Sequence, residues 1–204
     1  MSEFHAILKE RFGAENIEII EPKIEGNFPL IRIKHHKRSD ITIVMTDGLR
    51  NYKMPVPEKI ASRTHNELYF CLPSYWEVDA PENKWVFDWL QRLARYAVEK
   101  ETYFAHGHTI PNQNPAVALS PSMNQKYLML IDPDYLRPEL KPQTIGDITV
   151  HFLGVLPIFE DEMDYKMGKG TTKLQKKLAA KSITELLDDY RSTSLKTRWN
   201  FFQK

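Results

Sequence analysis

Roughly residues 81–100 constrain the fold more than any other stretch. Val86, Leu90, Leu93 and Ala97 recur at helical spacing, and Trp85, Trp89 and Tyr96 widen the stripe into a broad apolar face. Arg92, Arg95, Glu99 and Lys100 fall mostly on the opposite, wet side. A face this wide has to be covered, and a sheet covers it. Asp79 with Glu82 reads as a capping box, and Pro81 suits a first helical turn.

Short alternating or β-branched runs supply that sheet. They are 16–21, Leu30–His35, Ile41–Thr46, 65–72, 127–132 and Ile148–Ile158, with Asp47-Gly48 as a turn. In 65–72, Leu68, Phe70 and Leu72 share one face, and in the last run Ile148, Val150 and Phe152 alternate with Thr149, His151 and Leu153. A helix opens the chain, with Ser2 as its N-cap, Phe4, Ile7, Leu8 and Phe12 on one side and Gly13 as its stop. Beyond Phe159 the pattern turns helical again: Thr171 or Thr172 caps a segment carrying Leu174 and Leu178, and Ser182 with Glu185 offers a second capping box. Strands grouped centrally, helices at both ends and one helix inserted predict an α+β fold and not a βαβ repeat. No repeat, low-complexity tract or linker marks a boundary, so 1–204 reads as one domain with a helical extension over about 160–204.

Composition narrows the function classes. Twenty-eight Lys and Arg against 27 Asp and Glu leave a net charge of +1, so no global field draws the chain to nucleic acid or an anionic membrane. Hydrophobic residues at 42% and aromatics at 11% are too many for a disordered chain. The lone cysteine, Cys71, excludes an internal disulfide and a four-cysteine zinc site. The charged start and the lack of a long apolar window predict a soluble, cytoplasmic protein.

Candidate chemistry is thin. His106 and His108, two apart, would point the same way in an extended segment and could meet one metal ion, but a third ligand is missing from the local pattern. Residues 168–173 resemble a phosphate loop until the required positions are checked: Met163 and Gly170 stand where a glycine and a Ser or Thr belong. Residues 166–181 carry six lysines and no acid, just after the acidic cluster Glu160, Asp161, Glu162 and Asp164. Arg32, Lys34, Lys37 and Arg38 make a second basic patch. Such patches suit nucleic acid or a solvated face equally well. No nucleophile elbow is present, and Cys71 sits in an apolar run where a thiol is inert.

Several segments, in order and spacing, resemble the Suppressor of fused domain family in its bacterial single-domain form. They are Thr46-Asp47-Gly48-Leu49, Glu67-Leu68-Tyr69-Phe70-Cys71-Leu72-Pro73, Trp76, and the helix end Trp89-Leu90-Gln91-Arg92-Leu93-Ala94-Arg95-Tyr96. Phe104-Ala105-His106-Gly107-His108-Thr109-Ile110 and the run Val150 to Ile158 before Glu160-Asp161-Glu162 complete the set. The match spans roughly residues 25–170, and Leu-Ala-Arg-Tyr followed by Phe-x-x-Gly-His-x-Ile is its most specific part.

The resemblance implies a mixed, largely antiparallel sheet flanked by helices, and a protein binder that is no enzyme and holds no cofactor or metal. The family's animal member is a cytoplasmic adaptor that holds an extended peptide of a zinc-finger transcription factor between two domains, and this chain matches only the first domain. Bacterial members resemble immunity proteins of polymorphic or contact-dependent toxin systems, so the implied partner is a toxin domain encoded nearby. Trp89, Leu93 and Tyr96 then read as helix packing, and Gly107 and His108 as a turn. Tyr52, Tyr75, Trp76 and the tail residues Trp199 and Phe201, in or beside loops, are the candidate protein-binding anchors. A metal-dependent hydrolase using His106 and His108, and a nucleic-acid binder using 166–181, are the alternatives.

Overall fold

Alternating side chains decide the layers. In the computed structural model, which describes residues 2–35 and 40–196, the strands β1 (Ile17–Ile20), β2 (Leu30–His35), β3 (Ile41–Thr46), β4 (His65–Pro73), β5 (Thr109–Pro111), β6 (Tyr127–Ile131), β7 (Gln143–Ile145) and β8 (Ile148–Ile158) form one sheet. Their order is β1-β2-β3-β4-β8-β6-β5, with β7 also on β8. Every pairing is antiparallel except β4 with β8. The helices are α1 (Glu3–Phe12), α2 (Trp85–Glu99), α3 (Glu160–Lys169) and α4 (Thr171–Ala179). The expected α+β architecture, a mixed and mostly antiparallel sheet with flanking helices, is what the chain adopts. Among the described residues no helix is long and apolar enough to cross a membrane.

The sheet is covered on both faces, so its central strands lack a polar side. Leu68, Phe70 and Leu72 of β4, Leu128 and Leu130 of β6, and Leu153 and Val155 of β8 pack under Val86, Leu90, Leu93 and Ala97 of α2. On the reverse face Phe4, Leu8 and Phe12 of α1 meet Ile31, Ile33, Ile43, Tyr69 and Phe152, while Leu174 and Leu178 of α4 meet Met129, Ile131, Leu156 and Ile158. Cys71 lies in the α1 layer, fully buried, and burial pushes its thiol well above the usual range. Truncating Leu93 to Ala in so closed a layer costs about 2–5 kcal/mol.

Beyond Tyr69, β4 leaves β8, and the chain after α4 fills the split. Leu187 donates its N–H to the Cys71 carbonyl at 2.8 Å, continuing the sheet in parallel beside Cys71. Gly154 is the point where β8 tolerates this strap: a Cβ there would stand 2.8 Å from Glu185 Cβ.

Four local expectations need correction. Pro81–Asn83 winds as a separate 3₁₀ turn and α2 starts at Trp85 with no side-chain cap. Asp79, the expected cap, is drawn instead to Arg32 at 2.6 Å. Gly170, with φ +90, occupies the cap position of α4, and Thr171 is already helical. Ser182 and Glu185 start no helix. Helical structure ends at Ala179, 180–196 is an irregular strap, and the remainder of the expected extension lies outside the described residues.

Candidate functional site

Most polar residues of the signature are structural. The buried Glu67 carboxylate accepts the N–H groups of Gly48 (2.9 Å) and Arg50 (3.2 Å), the Arg50 guanidinium (2.7 Å) and the Thr46 hydroxyl. Burial pushes this carboxyl up, and Arg50 leads the groups pulling it back. Gly48, at φ +118, is the residue that lets the turn close over it. Asp47 completes the knot, accepting from Arg50 at 2.8 Å and facing His5 Nε2 at 2.7 Å.

Two further buried carboxylates pin the strap. Glu185 accepts the amides of Asp134 (3.1 Å), Tyr135 (3.0 Å) and Leu136 (2.9 Å) and the Tyr69 hydroxyl (3.0 Å). Glu162, at the start of α3, pairs with Arg191 at 2.8 Å and accepts the N–H groups of Ser194 (2.7 Å) and Phe159 (3.0 Å). Burial alone would raise the Glu162 carboxyl, but these partners, Arg191 foremost, bring it below its usual range.

The remaining signature residues converge on a trough of about 720 Å³ between α2 and residues 102–114. Trp89, Leu93 and Tyr96 form one wall, and Tyr103, His108 and Ile110 the other. Arg92 lies over the Trp89 ring, 4.7 Å from its centroid. Tyr96, expected from its spacing to pack the helix, is 51% exposed. The trough runs on along α2 past Trp89 and Arg92 into a second depression ending at Trp85, so it follows most of a helix about 22 Å long.

Gly107 is what brings the far wall in. Its φ is +86, and a Cβ there would stand 2.8 Å from Thr171 Cγ2. Its N–H donates to the Leu130 carbonyl at 2.7 Å and the Leu130 N–H returns to the His108 carbonyl at 2.8 Å, which fixes the turn to β6. The His108 ring then stands 5.1 Å from Tyr103. Burial, and secondarily the ammonium of Lys166, lower its pKa, so the ring is neutral near pH 7. Lys166 reaches in from α3 and donates to the Thr109 hydroxyl at 3.3 Å.

His106 and His108 do not converge. His106 Nδ1 accepts the Asp132 amide at 2.9 Å and Nε2 meets the side-chain amide of Gln175, so both ring nitrogens are engaged away from the trough. Among the described residues no group of three His, Cys, Asp or Glu side chains could hold a metal ion. Of the lysine-rich run, Lys166 lines the trough while Lys169, Lys173, Lys176, Lys177 and Lys181 are exposed.

The expected anchors are scattered. Trp76 is only 7% exposed and meets Trp85 edge-on, so it packs in the core under α2. Tyr52 is partly buried against the same core. Tyr75 is 52% exposed beside Tyr190, with its hydroxyl donating to Asp189 at 2.7 Å. It lines a separate depression of about 930 Å³ walled by the strap. Trp199 and Phe201 lie outside the described residues. The sequence signal for the trough is the aromatic arc on α2, wider than its core contact and followed at once by the Phe-x-x-Gly-His turn; its spacing alone reads as packing and a bend.

The family model described as Suppressor of fused protein (SUFU) matches residues 27–192. Solved structures are similar too. A Suppressor of fused homologue from Neisseria gonorrhoeae is 15% identical, with a TM-score of 0.63 over 94% of each chain. A Sufu–Fu complex is 17% identical, with a TM-score of 0.62 over 86% of this chain and 82% of the other. Drosophila Suppressor of Fused is 17% identical, with a TM-score of 0.65 over 94% of this chain and 50% of its own length. These likenesses establish the fold. No curated protein matches the chain.

Proposed function

Because the chain belongs to the Suppressor of fused family, we propose that it is a non-catalytic protein-binding domain whose partner docks in the trough along α2. The observation carrying this reading is that Trp89 and Tyr96 of α2 and Gly107 and His108 of the turn after it, all in the family signature, build one open aromatic-walled trough. Such a surface supplies the large rigid anchors that dominate protein interfaces, and a stable complex needs about 800 Å² on each side. One of the similar structures is a Sufu–Fu complex, which supports protein binding as the mode of action.

The finer version is an intracellular immunity protein that neutralises a cognate toxin domain in the cytoplasm. Its support is the resemblance to bacterial single-domain members and the similar Neisseria gonorrhoeae structure. The test is co-expression with the product of the adjacent gene. A one-to-one complex that restores growth, and that Tyr96→Ala weakens, is the expected result. If the adjacent product neither arrests growth nor co-purifies, the immunity role is wrong.

A further inference from the structure

The trough has an electrical sign. Its lining around His108 holds two cations, Arg92 on one wall and Lys166 on the other, and no carboxylate. Several cations elsewhere in the described residues are matched: Arg32 with Asp79, Arg63 with Asp132, Lys126 with Glu160 and Arg137 with Asp134. Among the described residues neither Arg92 nor Lys166 has such a partner. Arg92 is stacked on Trp89 and Lys166 donates to a neutral hydroxyl. Lys166 is also partly desolvated, which lowers its pKa, and His108 is held neutral, so the ring adds no charge of its own. A half-buried ammonium without a counter-charge is relieved by an incoming anion.

Resting on the docking reading above, we infer that the segment received by this trough is acidic, placing a carboxylate between Arg92 and Lys166 beside an aromatic or aliphatic side chain against Trp89 and Tyr96. Asp88 lines the adjoining depression one helical turn before Arg92. It repels a second acid there, so the acidic end of the segment lies toward Tyr96 and Lys166 and its apolar end toward Trp85.

The experiment pans a displayed library of random 12-residue peptides on the full chain and rescreens the clones on Tyr96→Ala, an exposed position whose loss leaves the core intact. Clones that lose binding are trough clones. The expected trough clones carry net negative charge with an aromatic or large aliphatic residue. They bind about tenfold more weakly to Lys166→Gln and to Arg92→Glu, and weaken as salt rises. Arg92→Glu lies at an exposed position, so it serves even if Lys166→Gln perturbs α3. Trough clones that are neutral or basic, or that ignore both charge changes, overturn the acidic assignment and leave the docking reading standing. If no clone depends on Tyr96, both are overturned.

Discussion

Gly107→Ala is the substitution that most directly probes how the signature builds the trough. The residue sits at φ +86, where an L side chain costs about 1–2 kcal/mol. The new methyl would also stand 2.8 Å from Thr171 Cγ2 and 3.2 Å from Thr171 Oγ1, an overlap worth a further 1–3 kcal/mol or so. The turn cannot rotate away cheaply, because Leu130 holds it through two backbone hydrogen bonds of 2.7 and 2.8 Å. Thr171→Ala removes both close atoms and leaves Thr171 Cβ at 3.5 Å, an ordinary contact. Urea unfolding of the wild type, both single variants and the double variant therefore has a definite expected pattern. Gly107→Ala loses at least about 2 kcal/mol, and the double variant regains roughly the overlap part while keeping the backbone part. A Gly107→Ala protein as stable as wild type, or losses additive to within about 0.5 kcal/mol, would refute the account of the turn.

Three further outcomes are expected. Arg191→Ala leaves Glu162 buried without its partner and lowers stability by about 3–5 kcal/mol in denaturant unfolding, with the strap the first region to lose amide protection. His108 and His151 are both held below their ordinary value of 6.5, chiefly by burial. The folded chain then binds fewer protons than the unfolded one, so thermal stability is level above about pH 7 and falls as pH drops through about 6.5. His108→Gln flattens that slope in a melting series and His151→Gln flattens it further. Trp76→Ala costs about 3–5 kcal/mol as a core truncation, while Tyr75→Phe, at a half-exposed ring, costs under about 1 kcal/mol.

Local pattern carried the strands well and the polar anchors badly, for physical reasons. Leu30–His35 and Ile41–Thr46 are strands with those bounds because each is buried on its α1 face at alternate positions. β5 and β7, three residues each, are too short to show a period. The capping boxes failed because distant partners won: Asp79 is taken by Arg32, and Glu185 by three amides at 134–136 and the Tyr69 hydroxyl. Long-range satisfaction of a carboxylate leaves no mark on neighbouring sequence. The trough was half legible. Trp89, Tyr96, Gly107 and His108 stood out as a signature, but helical spacing alone does not say that Tyr96 faces outward, nor that Lys166 arrives from another helix.

Hydrogen exchange on the complex with a captured protein partner tests the docking site most directly. New protection is expected in Trp85–Glu99 and across 102–114, with the Tyr75 and Tyr190 surface unchanged. Protection confined to the strap around Tyr190, with the trough exchanging as in the free chain, would contradict it.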